Sequence, residues 1–189
     1  PERRIVLDKQ GKVSGVEMRE RLDSHKLIEE LMIAANVAAA GKLGKKGGGC
    51  MYRVHDQPSK DKMEALRQFL VSLDIKLAKG QRGTPAQFNR ILAATAATPH
   101  AYMVNLMVLR SQAKAEYAPG NIGHFGLGLK RYCHFTSPIR RYADLMVHRA
   151  LLGETADAWE DPARAGEHLS DTEPRAADLF GHGDAEPAG

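Results

Sequence analysis

Nine residues, Gly41 to Gly49 (GKLGKKGGG), restrict what this chain can fold into more than any other stretch. Five of the nine are glycine, and each glycine in a helix interior costs about 1 kcal/mol relative to alanine. A helix arriving from the N-terminal side is therefore expected to stop at Ala40, with a flexible basic loop after it. The Gly-Lys pairs raise the question of a phosphate loop. Such a loop needs four residues between its glycines, then Lys and a Ser or Thr for magnesium. Gly41 and Gly44 stand too close together, and Gly44-Lys45 is followed by Lys46, so the spacing does not support one.

The helix that these glycines would end is predicted from about Ser24 to Ala40. Leu27, Leu31 and Ala35 share one stripe, and Ile28 and Met32 widen it. Before it, Ile5-Val6-Leu7, the turn from Asp8 to Gly11, then Val13 and Val16 predict a β-hairpin. After it, Tyr52-Arg53-Val54-His55 predicts a short strand. Ser59 is a plausible N-cap for a helix with Met63, Leu66, Leu70 and Leu73 on its buried side. Thr84-Pro85-Ala86-Gln87 is a capping box with proline at the first helical position, opening a helix to about Ala97. Another helix is predicted from about His100 to Ala115, burying Met103, Leu106, Met107 and Leu109. Gly120 to Leu129 reads as loop and strand. The last strong helix is predicted to begin at Ser137-Pro138 and to carry Ile139, Tyr142, Leu145, Met146 and Leu152.

Charge divides the chain. Residues 1–152 carry 25 Lys/Arg against 13 Asp/Glu, and residues 153–189 carry 2 against 10. The basic body attracts polyanions, nucleic acid first among them, although a solvated lysine-rich surface has the same composition. The acidic remainder, with Pro162, Pro174 and Pro187, predicts a partly disordered tail. A short helix over Glu167 to Ala177 would be interrupted by Pro174, and disorder is expected beyond Asp178. No apolar run reaches the eighteen or so residues of a membrane span, and no basic-then-apolar leader opens the chain. Cys50 and Cys133 are too few for a disulfide framework and lack metal-ligand spacing, which suits a reducing cytoplasm. The first residue is Pro1 rather than Met, so the chain is expected to be a piece of a longer protein.

Tyr132 to Tyr142 (YCHFTSPIRRY) is the most informative segment. Ser137 fits an N-cap and Pro138 the first helical position, which would place Arg140 and Arg141 in the first helical turn. Cations are disfavoured at that end of the helix dipole. Two readings stand side by side. In one, an anion binds there, held by free backbone N–H groups and a guanidinium fork. In the other, the arginines are a surface pair, with Arg140 bridging to Asp144 one turn later.

Several segments in order carry a family resemblance. They are His124-Phe125-Gly126-Leu127-Gly128-Leu129; Tyr132 with His134 to Tyr142 (HFTSPIRRY) and Asp144; His148-Arg149; His25 to Asn36 (HKLIEELMIAAN); Tyr52 to Asp56; and Leu109-Arg110-Ser111. Over roughly residues 2 to 152 the chain closely resembles the catalytic RNB domain of the ribonuclease II/ribonuclease R family, nearest its ribonuclease R branch. The resemblance implies a processive 3′→5′ exoribonuclease that hydrolyses single-stranded RNA to nucleoside 5′-monophosphates with Mg²⁺. By position, Arg140 is implied at the scissile phosphate, where a planar fork stabilises charge on phosphoryl oxygens. Glu30, ahead of Glu29, is implied as a carboxylate that contacts the terminal nucleotides. Tyr132, His134, Ser137 and Arg141 are further RNA-channel candidates; for Tyr132 and His134, ordinary core packing is an equal alternative. His124 and Phe125 are expected to shape a loop nearby.

The resemblance also marks what the chain lacks. Metal chemistry of this kind needs several converging carboxylates, and residues 1–152 hold only Asp8, Asp23, Asp56, Asp61, Asp74 and Asp144, none closer than five positions to another. No metal ligand is therefore assigned here; Mg²⁺ is expected to be bound by residues outside this chain, which alone would be inactive. His168 to Glu173 resembles the start of the next family helix, the match fails at Pro174, and no role is transferred to His182. The expected fold is α+β: a helix-rich, partial RNB-type domain over residues 1–152 around an incomplete mixed sheet, followed by the tail of residues 153–189. The alternative function is a non-catalytic RNA-binding or regulatory module derived from the same family.

Overall fold

A computed structural model of the chain describes residues 2–19, 22–47, 49–77, 83–154 and 161–180. Strands β1 (Glu2–Leu7) and β2 (Val13–Arg19) form an antiparallel hairpin. Gly11 turns it at φ +77°, and the Asp8 carboxylate accepts the N–H groups of Gln10 and Lys12 at 2.9 Å each. Helix α1 (Asp23–Lys46) follows, then β3 (Tyr52–His55), α2 (Lys60–Ser72), α3 (Pro85–Thr95), α4 (Ala101–Ser111), β4 (Ala115–Ala118), a 3-10 turn at Phe125–Leu127, α5 (Tyr142–Leu152) and α6 (Pro162–Phe180).

The fold is α+β. The incomplete mixed sheet of the sequence reading takes the form of two antiparallel pairs, β1–β2 and β3–β4. Among the described residues the second edge of β3 carries single bridges only, antiparallel from Tyr52 to Cys133 and parallel from His55 to His124. Three apolar clusters support this frame. Ala39, Ala40 and Leu43 of α1 meet Tyr52 and Val54 of β3, Cys133, and Val147 and Ala150 of α5. Met63, Leu66, Leu70, Phe88, Ile91, Val104 and Val108 join α2, α3 and α4, with Phe125 packed against them. Met51, Tyr117, Ala143 and Met146 hold β4 to α5, with Ala165 and Leu169 of α6.

Local capping signals do what the sequence predicts. Ser59 Oγ accepts the Lys62 N–H, and Thr84 and Gln87 satisfy each other's backbone N–H reciprocally. Four predictions require correction. First, α1 does not stop at Ala40 but runs to Lys46 and ends at Gly47, φ +69°. Wholly buried Leu43 stabilises this extension by roughly 2 kcal/mol, enough to offset the propensity cost of Gly41 and Gly44. The leucine stripe predicted to be buried is instead solvent-facing: Leu27, Ile28, Leu31 and Met32 are exposed, and Asn36, Ala39, Ala40 and Leu43 are the buried positions.

Second, α4 ends at Ser111 and buries Val104 and Val108; Met103 and Leu109 are exposed. Residues Ala115–Ala118 are needed as the partner strand of β3. Third, α5 begins at Tyr142, not Ser137. The Ser137 carbonyl accepts N–H groups from Arg140 and Arg141, which closes a single turn, and Arg141 then takes an extended φ of −126° and becomes the N-cap. Ile139 is 94% exposed. Fourth, the helix in the acidic segment spans Pro162–Phe180 and Pro174 lies inside it. It docks on β4: Ser170 Oγ accepts the Tyr117 N–H at 2.8 Å, and Glu173 pairs with Arg53 at 2.6 Å. A Cβ on Gly166 would lie 2.5 Å from the Tyr117 carbonyl oxygen, so only glycine permits this approach. Residues 181–189, His182 among them, lie outside the described residues.

Candidate functional site

Four segments converge on a cavity of about 210 Å³. Helix α1 supplies Glu29, Met32, Ile33 and Asn36. Their i, i+3, i+4, i+7 spacing stacks them on one side of the helix. Leu127 enters from the 3-10 turn and Tyr132 from the segment after it; Thr136, Ser137, Arg140 and Arg141 come from the turn before α5. An apolar fraction (Met32, Ile33, Leu127) thus lies beside a carboxylate, hydroxyls, an amide and two guanidiniums.

Asn36 fastens α1 to the opposite wall. It is 3% exposed. Its Oδ1 accepts the Phe135 N–H at 2.9 Å, its Nδ2 donates to the Tyr132 hydroxyl at 2.9 Å, and its carbonyl accepts the Cys133 thiol at 3.5 Å. The Tyr132 carbonyl in turn accepts the Arg53 N–H at 2.9 Å, which lays the segment along β3. Cys50 and Cys133 are both buried and free, and the contact between them, with burial, raises the Cys133 thiol pKa.

Asp144 organises the turn on the other side. It is wholly buried, and its Oδ1 accepts the Ser137 N–H at 2.8 Å. Arg141 donates from Nε to Oδ2 and from Nη2 to Oδ1, each at 2.8 Å. This bidentate pairing compensates the cost of burying the carboxylate. The bridge to Asp144 is therefore made by Arg141, not by Arg140. Arg140 is exposed on the cavity rim and, among the described residues, has no ion pair or side-chain hydrogen bond.

Behind the cavity runs a file of near-perpendicular aromatic rings. From the Phe88–Phe125 contact it passes through His55, His124 and Tyr132 to His134 and Tyr117, with centroids between 5.1 and 6.0 Å apart. It ends at Arg53, whose guanidinium lies 4.5 Å above the Tyr117 ring. Burial, with Arg141 and Arg53 close by, pushes His134 down to about 3, and burial with His55 and Arg53 pushes His124 down to about 4. Both are neutral at pH 7. Burial, with Glu173 nearby, pushes Tyr117 up to about 12, so its hydroxyl stays protonated beside His134 Nδ1 at 2.8 Å.

Of the residues that the sequence singles out, Tyr132, Ser137, Arg140 and Arg141 come together on this cavity. Glu30 does not line it; Glu29 does, because one residue along α1 rotates a side chain by about 100°. His134 faces Tyr117 rather than the cavity lining. His124 and Phe125 shape the adjoining loop, with the His124 side chain accepting the Leu127 N–H at 3.2 Å. Asn36 is absent from the candidates drawn from the sequence, yet its signal is visible there: it is the lone polar residue between Leu31 and Ala40. No group of three or more His, Cys, Asp or Glu side chains converges among the described residues. Among the described residues the cavity lining holds one carboxylate, Glu29, and Asp144 behind the turn is already chelated by Arg141. The described residues around this cavity therefore do not fit a divalent-metal centre.

The family model described as the RNB domain matches residues 1–154. Ribonuclease R of Aquifex aeolicus is 41% identical over 185 residues, covering 94% of this chain and 26% of that protein. A solved structure of Mycoplasma genitalium ribonuclease R in complex with ribose-methylated single-stranded RNA superimposes with a TM-score of 0.85 at 28% identity, over 96% of this chain and 30% of that one. Yeast Ssd1, a pseudonuclease, shares the fold at a TM-score of 0.66 and 23% identity, over 80% of this chain and 20% of that one. The chain spans about a quarter of the length of the ribonuclease R proteins it matches.

Proposed function

Because this chain belongs to the RNB domain family, we propose that it is the C-terminal part of the catalytic domain of a cytoplasmic 3′→5′ exoribonuclease. The substrate is single-stranded RNA and the products are nucleoside 5′-monophosphates. The observation that carries this reading is the state of Arg140. It is exposed on the cavity rim without an internal partner among the described residues, while the arginine beside it is fully engaged with Asp144. A planar fork left free in this way suits two non-bridging phosphate oxygens.

The other residues support that task. Asp144 and Arg141 fix the turn that presents Arg140. The Ser137 N–H is occupied by Asp144, which leaves its hydroxyl for a ligand. Glu29, on the α1 wall, can accept hydrogen bonds from ribose hydroxyls. The Mg²⁺ used in such hydrolysis would be held by carboxylates outside this chain.

The test is binding of 5′-labelled single-stranded RNA by fluorescence anisotropy. Arg140→Ala should weaken binding at least tenfold and reduce the salt slope by about one; unchanged affinity overturns the reading. A second reading, a non-catalytic RNA-binding module, is favoured by the absence of converging carboxylates among the described residues. A descending ladder from 5′-labelled RNA and Mg²⁺, produced by the longer protein that contains this chain and lost in Arg140→Ala, rejects it.

A further inference from the structure

We infer that Tyr132 donates a hydrogen bond to a phosphate oxygen of the bound RNA, and that Asn36 is the positioning residue that aims it. The inference rests on the RNA-binding reading above and assigns a direction to one of its contacts.

The hydrogens decide the direction of each contact. The Phe135 backbone N–H can only donate, so the Asn36 atom facing it at 2.9 Å is the amide oxygen. The planar amide then turns its NH₂ toward the Tyr132 oxygen, also at 2.9 Å. An NH₂ can only donate, so at this contact the Tyr132 oxygen accepts. A phenol has one hydrogen of its own, and it must point elsewhere. Among the described residues nothing accepts it. Tyr132 is 7% exposed and lines the cavity with Arg140. The hydrogen is therefore available to a ligand oxygen in the cavity. The cationic fork in the same cavity selects an anionic oxygen, hence phosphate.

The polarity of the contact can be reversed by one substitution. In Asn36→Asp, either carboxylate oxygen can accept the Phe135 N–H, and the second oxygen stands where the NH₂ donor was. The Tyr132 hydrogen then bonds to that oxygen and is withdrawn from the cavity. Tyr132→Phe removes it outright. Both variants should weaken binding of 5′-labelled single-stranded RNA by about tenfold. The double variant should bind no more weakly than either single one. If Asn36 only clamped α1 to its neighbour, Asn36→Asp would weaken binding to the same degree whether residue 132 is Tyr or Phe, and the positioning role would be overturned. Tyr132→Phe keeps the ring and its packing, so its result stands even if Asn36→Asp unfolds.

Wild-type affinity in Tyr132→Phe alongside a loss in Arg140→Ala overturns this inference and leaves the RNA-binding reading intact. Wild-type affinity in both variants, or no RNA binding by the wild-type chain, overturns both. The Tyr132→Phe penalty should persist on DNA of the same sequence. A penalty confined to RNA would assign the contact to a ribose hydroxyl and overturn the phosphate assignment.

Discussion

Arg141 grips Asp144 along both edges, Nε on Oδ2 and Nη2 on Oδ1 at 2.8 Å each, and the carboxylate it grips is wholly buried. Removing the carboxylate leaves the part-buried Arg141 guanidinium and the Ser137 N–H without their acceptor. Asp144→Ala is expected to destabilise the fold by roughly 3 kcal/mol or more, read as a lower urea midpoint. It also releases the Ser137 N–H, so RNA affinity should fall even under conditions where the variant is folded.

Arg140 is the contrast within the same turn. It has no internal partner to lose among the described residues, so Arg140→Ala should leave the unfolding free energy from urea melts within about 0.5 kcal/mol of wild type. The two adjacent arginines thus separate in a single pair of melts. A large stability loss in Arg140→Ala would show that it serves the fold.

These two residues also show how far the sequence can be read. The motif around Ser137-Pro138 points to Tyr132, Ser137, Arg140 and Arg141, and these four do share a cavity. Their arrangement is not legible in it, because Asp144, seven residues beyond Ser137, takes the N–H that a helix start would have kept free. Local devices are legible where all their atoms lie within four residues, as at Ser59 and at Thr84 with Gln87. Elements decided by distant partners are not: Gly41 and Gly44 stay helical because Leu43 reaches the core, and with Ala39, Ala40 and Leu43 turned to that core, Glu29 rather than Glu30 lines the cavity.

The two helical glycines should respond differently to alanine. A Cβ on Gly41 meets nothing within 4 Å, so Gly41→Ala should stabilise by about 0.5–1 kcal/mol. A Cβ on Gly44 would stand 3.2 Å from Arg131 Nη1 and 3.3 Å from the Tyr52 hydroxyl, so Gly44→Ala should gain less than Gly41→Ala or lose stability. Paired thermal melts decide it.

Acid should loosen the fold through His134. Its folded pKa of about 3 lies below the ordinary 6.5. The unfolded chain therefore takes up a proton that the folded chain refuses. Stability from this group is complete above pH 6.5 and declines as pH falls toward 3, by at most about 1.4 kcal/mol per pH unit. His134→Gln retains a side-chain partner for Tyr117 but cannot titrate. Its unfolding free energy should fall less steeply between pH 6.5 and about 4 than that of wild type; parallel slopes would contradict the assignment.

Gly166 allows α6 to lie against β4. An alanine there would push its Cβ into the Tyr117 carbonyl, at 2.5 Å. Backbone cannot yield as a side-chain tip does, so Gly166→Ala should lift the helix. Faster amide hydrogen exchange over Pro162–Phe180 and at the Tyr117 N–H, with exchange in α2 and α3 unchanged, is the expected signature.

The span of the Asn36 contacts has a consequence for the order in which this molecule comes together. The buried members of the α2, α3 and α4 cluster all lie within residues 60–111, with Phe125 added later, and segments that close in sequence can gather early. Asn36 must instead find Tyr132 and Phe135 across 96 and 99 residues. That closure carries the larger loop entropy and is expected late, after Phe135 has been synthesised. On a ribosome the α2–α4 cluster can gather once residue 111 has emerged, whereas the cavity must wait for Arg141, thirty residues later.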